Sequence, residues 1–331
     1  MTDTIRWGIL GPGSIAHKFA KGLAVIDDAE LAAIGSRSLE RANTFADAYG
    51  ADARYGSYEE LANDKNVDVI YVATPHPFHR EHTLLCLEAG KAVLCEKPIS
   101  INAQTTKEMV VAAQEKKLFL MEAMWTRFLP TLEKARQWIA DGRIGEVRLV
   151  KADFGFRVGW NPESRLLDPN LGGGSLLDVG VYTISLANMI FGSAPNQVTG
   201  AAHLGDTGVD EQAGMVLGYP GGGLAVLCSA VRTSTPQEAH IIGTEGSIHI
   251  PDFWHSTTAS LMVANEVVDQ IDAPFQGSGY EYEAMEVHRC LRAGELESPV
   301  MPLQESIEVM EAADRLRGQW GFALPMERGM R

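Results

Sequence analysis

Val93-Leu94-Cys95-Glu96-Lys97-Pro98 passes from three apolar residues straight into a carboxylate, an ammonium group and a proline. The apolar run suits a buried strand. The Lys-Pro pair ends it, because proline fixes φ, lacks an N–H and restricts the residue before it. An ammonium group then stands at the carboxyl end of a strand, the edge at which open α/β sheets bind ligands. An isolated Glu-Lys-Pro is more often a solvated surface turn, so the rest of the chain has to decide between the two.

Toward the N-terminus, Arg6 to Leu10 reads as a strand and is followed by Gly11-Pro12-Gly13-Ser14-Ile15-Ala16, the pattern G-x-G-x-x-A. Two glycines let backbone approach a pyrophosphate, the small Ala16 permits close helix–sheet packing, and the following helix turns its N-terminus to the phosphates. Alone the motif is weak; strand before and helix after give it the right context. The next strand, Glu30 to Gly35, ends not in the carboxylate that holds ribose hydroxyls but in Ser36-Arg37-Ser38, with Arg41 beyond. Arg37 and Arg41 share a helix face. A hydroxyl and two guanidiniums suit a 2′-phosphate better than a bare hydroxyl pair, so the expected cofactor is NADP rather than NAD. Val67 to Ala73 forms another apolar strand, ending at Thr74-Pro75-His76-Pro77-Phe78-His79. A helix to Ala89, the strand Lys91–Cys95, a helix to about Lys116 and the strand Phe119–Glu122 complete an alternation that predicts a doubly wound parallel sheet.

The chain has 331 residues, a soft prior of about two domains. With 28 Lys and Arg against 43 Asp and Glu the net charge is −15, which argues against a general nucleic-acid or anionic-membrane binder. Cys86, Cys95, Cys228 and Cys290 are too far apart for a zinc pattern, so no metal is expected; they read as reduced thiols of a cytoplasmic protein. No apolar run of about 18 residues is found and the N-terminus leaves no room for a signal peptide, so neither a transmembrane helix nor secretion is expected.

Beyond Met124-Trp125-Thr126-Arg127-Phe128 and a helix opened by Pro130, the character changes. Val147–Phe154, Gln197–His203, Gly214–Leu217, Leu224–Ala230, Ala239–Gly243, Ser247–Ile250 and Ser260–Val263 read as strands joined largely by turns, as in an antiparallel sheet. The expected domains are 1–123, an α/β Rossmann domain, and 124–331, an α+β domain with an open, mostly antiparallel sheet. The last helix, about Leu303–Trp320, is expected to pack back on the first domain. One helix interrupts the strands: Gly172-Gly173-Gly174-Ser175 precedes it, and Asp178 and Tyr182 sit one turn apart on its face. Such a pair alone is more often simply a polar face.

In combination, Gly11-x-Gly13-x-x-Ala16, Glu96-Lys97-Pro98 and Gly172-Gly173-Gly174-x-x-x-Asp178-x-Gly180-x-Tyr182 resemble the glucose–fructose oxidoreductase, inositol dehydrogenase and rhizopine-catabolism (Gfo/Idh/MocA) family over essentially the whole chain. Met124-Trp125-Thr126-Arg127-Phe128 and Tyr182 look most like its dimeric dihydrodiol dehydrogenase and NADP-dependent D-xylose dehydrogenase branch. Many inositol dehydrogenases carry His where Tyr182 stands.

The resemblance implies a dehydrogenase or reductase acting on CH–OH groups of a sugar or a trans-dihydrodiol, with substrate held between the nicotinamide and the second sheet. It implies Lys97 and Tyr182 as the catalytic pair and Asp178 as a polar orienter. Gly11, Gly13, Ser14 and Ile15 would hold the pyrophosphate, and Ser36, Arg37 and Arg41 the 2′-phosphate. Thr74, Pro75, His76, His79, Glu96 and Lys97 would line the nicotinamide half, with Arg165 a further cofactor or substrate contact. Trp125, Phe154 and Trp254 would be aromatic substrate walls. Two other functional classes stay open: a glycosidase-like enzyme with a closed redox cycle, and a nucleotide-sensing regulator. An open sheet with one uncovered face implies a homo-oligomer, a dimer or a dimer of dimers.

Overall fold

Short strands, most of them buried, alternate with helices in the N-terminal part of the computed structural model, which describes residues 4–329. In order these are β1 (Ile5–Leu10), α1 (Ser14–Leu23), β2 (Ala29–Gly35), α2 (Leu39–Tyr49), β3 (Ala53–Tyr55), α3 (Tyr58–Ala62), β4 (Val69–Val72), α4 (His79–Glu88), β5 (Ala92–Glu96), α5 (Ala103–Lys116) and β6 (Leu120–Ala123). They form a parallel sheet of order β3-β2-β1-β4-β5-β6. Burial on both faces explains the near-continuous apolar runs of β4 and β5. Ser57 caps α3 by accepting from Glu60 N–H at 3.2 Å.

The remaining elements are α6 (Pro130–Ala140), β7 (Val147–Gly155), α7 (Val181–Phe191), β8 (Gln197–Leu204), β9 (Asp210–Gly218), β10 (Leu224–Ala230), β11 (Ala239–Gly243), β12 (Ser247–Ile250), β13 (Thr258–Val263), β14 (Glu266–Asp272), α8 (Glu281–Ala293) and α9 (Leu303–Gln319). Their sheet has the order β14-β13-β12-β11-β7-β10-β9-β8 and is antiparallel throughout except for the central β7–β10 pair. β14 escapes the sequence reading because it is an edge strand with mostly exposed, polar residues.

The chain divides into two units: residues up to Ser100 with Gln104–Trp125 and Phe275–Leu303, and Ile101–Ala103 with Thr126–Pro274 and the residues from Gln304 on. The first boundary falls after Trp125. α8 belongs to the first unit, and α9 from Gln304 on to the second. Trp7 Nε1 donates to His288 Nε2 at 2.9 Å, and Arg292 pairs with Asp28 at 2.5 Å. A Cβ on Gly22 of α1 would lie 2.7 Å from the Glu281 backbone N, so only glycine permits this approach. The buried face of α8 includes Glu281, Glu283 and His288, which masks its apolar period. α9 instead ties Ile101–Ala103 into the second unit: Arg317 donates to Ile101 O at 3.0 Å and Ala103 N–H to Asp314 Oδ2 at 2.9 Å.

The glycine run leads into a π-helical turn, Leu176–Gly180, continuous with α7. The 23-residue stretch Pro169–Phe191 has a mean hydropathy of 1.3 in its most apolar window, enough by length and composition to cross a membrane. The sequence reading had found no such run. In the structure 83% of that window is buried, against β7, β9 and β10, so its apolar side chains are those of a core helix.

Candidate active site in two halves

The cofactor half lies at the carboxyl ends of the parallel strands. β1 is flanked by β2 and β4, so the strand order reverses beside it, the switch point at which such sheets bind ligands. Gly11 follows β1 with φ +92°, and a Cβ there would come within 2.8 Å of the Thr74 methyl after β4; only glycine fits. Gly13 opens α1, and a Cβ there would meet nothing within 4 Å. No side chain caps α1 and its first turn holds no carboxylate, so the N–H groups around Gly13, Ser14 and Ile15 suit an anion. Arg41 Nη2 reaches Pro12 O at 3.5 Å, which sets its guanidinium beside the glycine loop. Arg37 joins it around Tyr58: burial pushes that phenol up, and the two guanidiniums oppose the shift. Ser36 is buried and its Oγ accepts from Ser38 N–H at 3.3 Å. These residues fit the phosphates of a nicotinamide dinucleotide.

The Lys97 turn is built from below. Its peptide bond to Pro98 is cis. The Glu96 carboxylate accepts Lys97 N–H at 3.1 Å and the Tyr71 hydroxyl, so Glu96 acts on the turn rather than presenting an open face. His79 is fully buried; its ring nitrogens face Pro98 O at 2.8 Å and Thr74 O at 2.6 Å. Burial pushes its pKa down to about 3 although both carbonyls favour the proton. What His79 lends the site is the link between the Thr74-Pro75 loop and the Lys97-Pro98 turn. Thr74 Oγ1 bonds to the His82 ring at 2.9 Å, and His76 is 5% exposed. Trp125 also differs from expectation: at 1% exposure, stacked on Tyr280 with centroids 4.4 Å apart, it is a packing residue of the first unit rather than an open substrate wall.

Sequence reading missed Tyr71, which joins this network through Glu96, and Glu283, which feels the charge of Glu96. Glu283 of α8 is wholly buried, and neither carboxyl oxygen has a hydrogen-bond partner among the described residues. Burial, and then repulsion from Glu96, push its pKa well above the carboxylate range. A carboxyl whose folded pKa is raised contributes its stability in full below its unfolded value of about 4.3 and loses it as pH rises toward the folded value. Glu283→Gln removes that titration. Stability of the variant relative to the parent therefore rises with pH above about 4.3, by roughly 1.4 kcal/mol per unit until the folded pKa is reached. Denaturant unfolding at pH 5 and pH 8 measures it; a difference independent of pH would show that Glu283 is ionised in the fold.

The substrate half lies in the second unit. Phe154, at the end of β7, stacks on Trp254 with centroids 4.8 Å apart and 17° between planes, and meets Tyr182 edge-on at 5.3 Å. The wall is held by Gln237, another residue the sequence reading did not single out. Gln237 accepts from Trp254 Nε1 at 2.7 Å, and donates its backbone N–H to Asp153 at 2.7 Å and its amide to Gly155 O at 2.7 Å. Its φ of +64° gave no sequence signal, because glutamine rarely adopts it. Arg165 pairs with Asp178 at 2.6 Å; the guanidinium is half-exposed and the carboxylate buried, so Arg165 orients Asp178. The glycine run serves Asp210 of β9. Gly174 has φ +123°, and a Cβ there would lie 2.3 Å from Asp210 Oδ1. Asp210 accepts Ser175 Oγ at 2.8 Å and Leu176 N–H at 2.6 Å, capping the helix that carries Asp178 and Tyr182. Burial pushes its pKa up to about 6 against those bonds.

A glycine-loop Rossmann unit with lysine at a strand end, and a second unit with an Asp and a Tyr on one continuous helix beside stacked aromatic rings, are the parts of a nicotinamide-dependent oxidoreductase. The chain belongs to the GFO/IDH/MocA family: residues 5–124 match its oxidoreductase, NAD-binding Rossmann-fold model, and residues 132–249 the GFO/IDH/MocA C-terminal domain. It is 39% identical to mouse trans-1,2-dihydrobenzene-1,2-diol dehydrogenase over 98% of this chain and 99% of that protein, and 37% identical to the human protein of the same name, again over 98% and 99%. The aldose-aldose oxidoreductase of Caulobacter crescentus, solved with glycerol, superposes with a TM-score of 0.86 at 25% identity, covering 94% of this chain and 96% of that one. A 3-ketoreductase from Actinomadura kijaniata, solved with NADP and TDP-benzene, shares the fold with a TM-score of 0.83 at 24% identity, covering 96% and 98%. The protein is thus an NAD(P)-dependent dehydrogenase or reductase of this family.

Proposed function

We propose that the protein is an NADP-dependent oxidoreductase that moves hydride between nicotinamide and a secondary alcohol or hemiacetal of a sugar, or a trans-dihydrodiol. The observation that carries the reading is the joint presence of the Phe154–Trp254 wall, edge-on Tyr182 and the Arg165–Asp178 pair within one unit. Aromatic faces take up a pyranose or a cyclohexadiene ring alike, and the carboxylate orients hydroxyls. The full-length similarity to dihydrodiol dehydrogenases supports the same substrate class. Bound nicotinamide would supply the hydride acceptor or donor at C4. Tyr182, assisted by the Lys97 ammonium, would take the carbinol proton in oxidation and return it in reduction. A panel of aldoses, inositols, deoxy-osones and dihydrodiols with NADP(H) and NAD(H), read at the nicotinamide absorbance, tests this. Turnover of one or more panel members with NADP(H) supports it. Cofactor binding without net nicotinamide change across the panel overturns it, in favour of a closed cycle or a regulator.

We further propose a homo-oligomer formed through the open face of the second sheet. Ala225 and Leu227 of β10 are buried on the side of α7, whereas Leu224 and Val226 alternate outward and are 46% and 45% exposed, with Val216, the register partner of Val226, at 41%. A patch of adjacent β-branched and leucine side chains fits a second copy of itself. Sedimentation at micromolar concentration is expected to give a dimer or a dimer of dimers, and Val226→Glu a shift to monomer; a monomeric parent chain would refute the assignment.

A further inference from the structure

We propose that Glu238, His240 and His249 form a binding site for a divalent transition-metal ion of the zinc class on the outer face of the second sheet. His240 and His249 are directly opposed on β11 and β12. The turn is closed by Gly243 N–H donating to Gly246 O at 2.9 Å. Alternating from that pair puts the two histidines at a non-hydrogen-bonded position, where opposed side chains stand closest. Their rings stack with centroids 4.4 Å apart and 15° between planes. Glu238, just before β11, spans both: one oxygen lies 2.9 Å from His249 Nε2 and the other 3.3 Å from His240 Nε2. The ligand atoms of all three groups lie within 4.8 Å of one another. A tetrahedral zinc ion with bonds of about 2.0–2.1 Å sets its ligands roughly 3.4 Å apart, so small rotamer changes suffice. Two imidazoles and one carboxylate select Zn²⁺, Co²⁺ or Ni²⁺ over Mg²⁺ and Ca²⁺. All three side chains are about one-third exposed in the single chain, in the strand row that runs through Lys151 to Val226, on the face proposed above to meet a second copy. Lys151 is the strand neighbour of His240, and its ammonium would oppose a cation, placing the site among exchangeable rather than permanent ones. None of these residues belongs to either half of the candidate active site.

The test is calorimetric titration of the tag-free, chelator-treated full chain with Zn²⁺ at pH 7.5, with Co²⁺ visible absorption as a second readout. One ion per chain is expected. His240→Gln and His249→Gln should each weaken binding about tenfold or more, abolish the Co²⁺ band and leave the dehydrogenase rate of the chain unchanged. Glu238→Gln should weaken it less. Zn²⁺ should raise the thermal midpoint of the parent but not of the two histidine variants. Isotherms equal in parent and variants, or no saturable binding below about 1 mM Zn²⁺, would reduce the group to a hydrogen-bonded surface triad and overturn the proposal.

Discussion

Replacing Lys97 with Met, or Tyr182 with Phe, is expected to lower kcat by at least about a hundredfold while NADP(H) still binds, the usual scale for an acid–base group. A tyrosine that takes a proton near neutral pH needs its phenol lowered by roughly two to three units from about 10, or about 3–4 kcal/mol of preference for the phenolate. An ammonium group is the source of such a preference that Lys97 can supply. The structure makes the two substitutions clean. The Lys97 backbone is anchored through its own N–H to Glu96, so Met removes the charge and leaves the turn. The Tyr182 ring keeps its edge contact with Phe154 when only the hydroxyl is lost. If both act on one proton, the double variant loses much less than the product of the single losses. Multiplicative losses would assign them independent roles, and near-parental turnover in Lys97→Met would remove the centre of the proposed mechanism. Steady-state kinetics together with fluorescence titration of NADPH separates the chemical step from binding.

Changing Arg37 and Arg41 together to Ala is expected to weaken NADP(H) by well over tenfold and to leave NAD(H) little altered. A hydrogen bond to a charged group contributes about 1.5–3 kcal/mol, and the guanidinium fork matches a phosphate. Arg41 already leans on the glycine loop through Pro12 O, which sets its charge where a 2′-phosphate beside the pyrophosphate would need it. Both side chains are exposed, so their loss leaves no buried charge unpaired and the fold is expected to persist. Equal losses for the two cofactors would show that the arginines do not read the phosphate.

The strand–glycine–helix start, the parallel sheet and the antiparallel second sheet were legible because burial writes itself into period. β4 is apolar throughout and β5 as far as Cys95, as suits a strand covered on both faces, and β10 alternates because one face is open. α8 was not legible: Glu281, Glu283 and His288 occupy its buried face, so its polar residues spoil the apolar stripe. The aromatic side chains of the substrate half could be named from sequence, but not all behave alike. Phe154 and Trp254 meet face to face, whereas Trp125 is packed on Tyr280.

By itself the sequence determined the residue types on which each half depends: a tight glycine turn, a lysine at a strand end, two arginines on one helix face, an Asp and a Tyr one turn apart. Each is a local pattern, set by backbone sterics or by a 3.6-residue period. Only the tertiary structure decided which side chains steady the others. Tyr71 and Glu96 lie 25 positions apart, Asp210 caps a helix starting 34 positions earlier, and Gln237 and Trp254 are separated by 17. Such pairings carry no periodic signal. They arise because a buried polar group must find a partner wherever packing places one, and that choice belongs to the assembled core.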